Sequence, residues 1–160
     1  MGIRSTFATN NQLEREGRWF DLTSVKNKNG TSPGFRLARM HKNNPEYSAA
    51  VEKIAKELRQ AIDLDILTED VASPIMRRVF VETVLLDWRN FWDDAEGNGV
   101  EVEIPYSKEA ADKYMTEFTD LYMLLIEEAR KLSNYRKAEV TAVSEKSSQR
   151  LNKPSGNDAT

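Results

Sequence analysis

Val79-Phe-Val-Glu-Thr-Val-Leu-Leu-Asp-Trp-Arg-Asn-Phe-Trp92 is the densest apolar stretch of the chain, and its reading sets the fold. Extended back to Ser73-Pro74, it carries Ile75, Met76, Val79, Phe80, Val81, Val84, Leu85, Leu86 and Trp88 nearly all round a helical wheel. A helix that is apolar on every side belongs in the middle of a core. Residues 74–92 therefore read as the central helix. Ser73-Pro74 reads as its start, since a proline inside a running helix forfeits a backbone hydrogen bond. On such a helix Trp88, Phe91 and Trp92, spaced i, i+3, i+4, share one face. They read either as core packing or as the anchors of an interface.

Working outward, Asp93 to Gly99 is turn chemistry, and Glu101-Val-Glu-Ile104 alternates like a short strand stopped by Pro105. Ser107 is placed to cap a helix carrying Ala110, Ala111, Tyr114 and Met115. Phe118, Leu121, Tyr122, Leu125, Ala129 and Leu132 then repeat at amphipathic spacing. On the other side, Asn44-Pro45 opens a helix marked by Tyr47, Ala50, Val51, Ile54, Leu58 and Ile62. Trp19 to Val25 is β-prone, Lys26-Asn-Lys-Asn-Gly30 is hairpin-turn chemistry, and Gly34 to Met40 returns as a second strand. The expected fold is α+β and mostly α-helical, a small N-terminal β-hairpin packed on a bundle of four to five helices. Residues 1–17 lack periodicity and read as a flexible arm, 18–137 as a single domain, and 138–160 as a disordered polar tail.

Composition narrows the function classes. The chain has 160 residues, a formal net charge of −3 and no cysteine. A net negative charge argues against bulk nucleic-acid binding, and the lack of cysteine excludes disulfide and thiolate chemistry. No apolar run is long enough to cross a bilayer, and the first residues carry no secretory signature, so a cytoplasmic protein is expected. His41 is the lone histidine, without partners at metal or triad spacing. Asp94, Glu96 and Asn98 fall at the first ligand positions of a calcium loop, but Pro105 stands where the closing glutamate belongs. The chain therefore reads as non-enzymatic, with no cofactor and no metal.

Charge is segregated along the chain. Residues 26–42 hold Lys26, Lys28, Arg36, Arg39 and Lys42 with no acid, and 93–103 hold Asp93, Asp94, Glu96, Glu101 and Glu103 with no base. The two segments either join neighbouring copies head to tail, giving weak self-association, or pair or remain solvated within one copy. The candidate partner-binding residues are Trp88, Phe91, Trp92, Arg36, Arg39, Asp93 and Glu96.

The chain resembles the tail assembly chaperones of long-tailed phages from about Trp19 to Arg136. The likeness lies in the order of Phe35-Arg-Leu-Ala-Arg39, Asn43-Asn-Pro-Glu-Tyr47, Val81-Glu-Thr-Val-Leu-Leu-Asp-Trp88, Ile104-Pro-Tyr-Ser107, Phe118-Thr-Asp-Leu121 and Asn134-Tyr-Arg136. It departs from the pattern at Arg89-Asn-Phe-Trp92 and in its extended polar tail. The resemblance implies a helical protein that binds the tape measure protein in the host cytoplasm and is absent from the mature virion. It also implies recruitment of tail tube protein through a longer frameshifted form. A structural tail component and a helical regulatory nucleic-acid-binding protein are the alternatives.

Overall fold

The computed structural model describes residues 2–66 and 68–137; the polar tail expected over 138–160 lies outside them. The fold is α+β and mostly helical. In chain order it runs α1 (Ile3–Phe7), α2 (Asn11–Glu16), β1 (Arg18–Asp21), β2 (Gly34–Leu37), α3 (Pro45–Asp63), α4 (Glu69–Thr83), β3 (Leu85–Arg89), β4 (Trp92–Asp93), β5 (Val102–Glu103), α5 (Lys108–Glu117) and α6 (Thr119–Arg130), closed by a short 3-10 helix, Leu132–Tyr135.

The stretch that opened the sequence reading is half helix and half strand. α4 ends at Thr83, and Leu85–Arg89 forms a strand antiparallel to β2, making a three-stranded sheet in the order β1-β2-β3. The single helix over 74–92 is thus corrected, and with it the shared face of Trp88, Phe91 and Trp92. A short, continuously apolar run has no period by which helix and buried strand can be told apart. What decides it is the partner. Phe35 stands opposite Trp88, and Leu37 opposite Leu85 across a bulge between Arg36 and Leu37. β1 adds Phe20 beside Phe35, completing an apolar inner row.

Alternation places Trp19, Asp21, Gly34, Arg36, Asp87 and Arg89 on the other face of the sheet. Asp21 and Arg89 flank Gly34 on the central strand and form an ion pair of 3.1 Å. A Cβ at Gly34 would lie 2.4 Å from the Asp21 Oδ1 and 3.0 Å from the Arg89 Nε, so only glycine leaves room for that bridge. The Arg89 guanidinium also lies 4.1 Å from the Trp19 ring centre, a cation–π contact.

The helical start of α4 also differs from expectation. It begins at Glu69 after Thr68 and runs through Pro74, so Ser73 is not its cap. The cost is one hydrogen bond, to the Asp70 carbonyl, and both residues are exposed where water can take that carbonyl's place. The starts of α3 and α5 follow the sequence signals. Pro45 is the first residue of α3, and Ser107 Oγ accepts from the Ala110 N–H at 3.0 Å to cap α5. Asn44 does not cap α3 with its side chain. That side chain is fully buried and donates to the carbonyls of Arg39 and Thr83, both at 3.1 Å, tying the end of β2 to the end of α4.

Residues 1–17 are not a loose arm throughout. Asn10 caps α2 by accepting from the Gln12 and Leu13 N–H groups. Glu14 is fully buried, bonding Arg39 at 2.6 Å, Asn43 at 3.1 Å and Thr9 at 2.9 Å. The backbone closes this region against the 3-10 helix, since the Asn10 N–H donates to the Tyr135 carbonyl at 2.8 Å. Gly17 ends α2 with φ near 93°, and a Cβ there would sit 3.0 Å from Arg36 Cγ and 3.3 Å from the Ala38 nitrogen. The core lies between the inner face of the sheet and α4, α5 and α6. It is built from Phe35, Leu37, Phe80, Val84, Leu85, Trp88, Phe91, Tyr114, Met115 and Leu125.

Candidate partner-binding groove

After β3 the chain turns at Asn90, whose φ of 54° lies in the left-handed region that asparagine tolerates. The turn sends Phe91 inward and starts β4 at Trp92. Phe91 stacks on Trp88 with ring centres 4.3 Å apart, and meets Phe35 and Tyr114 edge to face at 6.0 Å and 4.9 Å. Trp88 donates its indole N–H to the Ile104 carbonyl at 2.8 Å, and the Tyr106 hydroxyl donates to the Leu85 carbonyl at 2.7 Å. Trp88 and Phe91 are thus core residues, 5% and 8% exposed, rather than a displayed interface.

The outer edge of this aromatic cluster is open. A cavity of about 860 Å³ lies between the loop after β1 and the junction of α5 with α6. Its apolar wall includes Leu22, Val25, Trp92, Phe118, Leu121 and Leu124, with Phe35, Phe91 and Tyr114 at its base. Phe118 is 43% exposed and stacks on Tyr114 at 5.9 Å. It sits at the break between the two helices, its N–H closing α5 onto the Tyr114 carbonyl while Thr119 begins α6. Asp93, Glu117 and Asp120 also line the cavity, and among the described residues no lysine or arginine does.

Asp93 is tied to the base of the cavity. Its Oδ2 accepts the Tyr114 hydroxyl at 2.6 Å. Burial, followed by this hydrogen bond to a carboxylate, holds the Tyr114 phenol well above its ordinary pKa of 10.0.

The remaining sequence candidates scatter. Arg39 is 7% exposed and held by Glu14, so it belongs to the fold rather than to a surface. Arg36 lies on the far face of the sheet between Trp19 and Asp87. Glu96 is exposed in the turn between β4 and β5 and does not line the cavity. In the same turn the Asp94 carboxylate accepts the Asn98 and Gly99 N–H groups at 3.0 and 2.8 Å, an internal use for that acid. The basic and acidic segments meet inside one copy. The Lys28 N–H donates to Glu101 Oε1 at 2.8 Å, the Lys28 ammonium donates to the Gly99 carbonyl, and Asn27 Nδ2 donates to the Asn90 carbonyl at 2.8 Å.

Of the predicted residues the structure therefore brings Trp92, Phe91 and Asp93 to one site. Sequence reasoning missed Leu22, Val25, Phe118, Leu121 and Leu124 as its wall. Phe118 and Leu121 were legible as apolar positions, but the apolar spacing runs unbroken from Tyr114 and Met115 through Phe118 to Leu121 and Tyr122, so it carries no sign of the helix break that turns Phe118 outward.

One family match marks the chain as a phage-derived protein. A model of the YdaY prophage protein family matches residues 42–146, and the chain belongs to that family. No curated protein and no solved structure matches the chain. The matched segment holds α3 to α6 and with them Trp92, Asp93, Tyr114, Phe118, Leu121 and Leu124 of the groove.

Proposed function

We propose that this prophage protein is a tail assembly chaperone. It binds the tape measure protein in the host cytoplasm, keeps it soluble, and helps bring tail tube subunits to it, without catalysing a reaction. The observation that carries the reading is the open apolar groove beside Phe118, a concave site of the size that accepts large side chains of a partner. Membership of a prophage family and the ordered motifs from Phe35 to Arg136 support the same reading. A long helical client offers many equivalent segments, so several copies binding modestly would together form a strong coat.

The test is co-expression with the tape measure protein of the same prophage. The expected result is a soluble complex that copurifies, and its loss with Phe118→Asp. A tape measure protein equally soluble without this chain, or no copurification, refutes the proposal. Recovery of the chain from purified particles would instead make it a structural tail component, and a salt-sensitive shift of DNA would make it a nucleic-acid-binding regulator.

A further inference from the structure

We infer that the groove selects its partner by charge as well as by apolar fit, taking an amphipathic helix whose apolar stripe is bordered by lysine or arginine. This rests on the reading of the groove as the client site and names the kind of segment it takes. The apolar wall alone would accept any apolar helix face. Its border is one-signed among the described residues: Asp93, Glu117 and Asp120 line it, and no lysine or arginine does. Glu117 and Asp120 are exposed and bracket Phe118 and Thr119 at the junction of α5 and α6. Among the described residues none of these three acids forms an ion pair. The nearest paired acid on α5, Asp112, already has Arg77 at 3.8 Å.

Asp93 has one carboxylate oxygen committed to Tyr114, which fixes the direction of the charge at the groove's base. Phe118 supplies the exposed aromatic surface between the two exposed carboxylates. A helix laid along this wall presents apolar residues at i, i+3, i+4 and i+7, and the residues beside that stripe fall next to Glu117 and Asp120. Basic residues there gain complementary partners. Acidic residues there meet like charge beside an apolar wall, where water screens least.

The experiment uses the full chain and two synthetic helical peptides with the same leucine stripe, one flanked by lysines and one by glutamates. Binding is followed by fluorescence anisotropy at low salt. The lysine-flanked peptide is expected to bind about tenfold more tightly, the gain of two exposed ion pairs of ordinary strength. Raising the salt should shrink that preference. Glu117→Lys with Asp120→Lys should reverse it, and both positions are exposed, so the fold is not at risk. Equal binding of both peptides, binding of neither, or a preference that survives the double reversal overturns the inference. Those results are separate from the co-expression test. A tape measure complex with no charge preference sinks only the inference, and a charge preference without a tape measure complex sinks only the proposed function.

Discussion

Glu14→Ala is the substitution that best tests how this fold closes. Its carboxylate is fully buried and takes three side-chain partners, the Arg39 guanidinium at 2.6 Å, Asn43 at 3.1 Å and Thr9 at 2.9 Å. Arg39 is itself buried, so removing Glu14 leaves a cation without its partner in a site closed to water. Breaking one side of a buried ion pair costs about 3–5 kcal/mol. With a urea slope of about 2 kcal/mol per molar, ordinary for a small domain, the unfolding midpoint should fall by about 2 M. Replacing both partners, Glu14→Leu with Arg39→Met, removes both charges and should cost far less than the two single changes summed, a coupling of at least about 1 kcal/mol. Urea denaturation followed by tryptophan fluorescence and by far-ultraviolet circular dichroism measures the wild type, Glu14→Ala, both single changes of the pair and the double variant. A midpoint that moves by less than about 0.5 M in Glu14→Ala, or costs that simply add, would refute the docking of α2 as a structural element.

Three other outcomes are expected. Leu85→Ala, at a fully buried position of β3 opposite Leu37, should cost about 2–5 kcal/mol, measured by the same denaturation; a loss below about 1 kcal/mol would place Leu85 outside the core. Burial works against the Glu128 carboxylate, but hydrogen bonds from Lys131 and Asn134 outweigh it and hold its pKa below 4.5. Its contribution is therefore present above the unfolded-state pKa and is lost as pH falls through the folded-state value. Glu128→Gln should remove that part of the acid dependence, and an unchanged profile of melting temperature against pH would contradict it. Sedimentation at low and high salt separates the two readings of the charge segregation: with Lys28 bound to the acidic turn of its own chain and Arg39 bound to Glu14, a monomer is expected at both, and a salt-sensitive oligomer would revive head-to-tail association.

What the sequence disclosed divides by the range of the interaction that decides each element. α3, α5 and α6 are set by apolar spacing within their own turns, and Pro45 and Ser107 mark the starts of α3 and α5 where expected. The β1–β2 hairpin is announced by the turn at Lys26 to Gly30, and the two strands pair antiparallel as expected. α2 carried no such signal. A glutamate in a polar stretch looks solvated until Arg39, 25 residues away, is known to be its partner. β3 is of the same kind, because its apolar run suits a helix until the row of Phe35 and Leu37 is placed beside it.

That second decision is also the one that makes the groove. Had the chain stayed helical through Trp92, Trp88 and Trp92 would lie on the same face one turn apart and would both be buried or both displayed. The strand and the left-handed turn at Asn90 separate them instead. Trp88 and Phe91 are drawn into the core, and Trp92 with Asp93 is carried out to β4, beside Tyr114 and across from Phe118. Every residue of that division lies within the segment matched to the prophage family, whereas Leu22 and Val25, which close the groove from the hairpin side, lie before it. The matched segment therefore supplies Phe91 and Tyr114 at the base and Trp92, Phe118, Leu121 and Leu124 in the wall, whereas Phe35 at the base and Leu22 and Val25 in the wall come from outside the match.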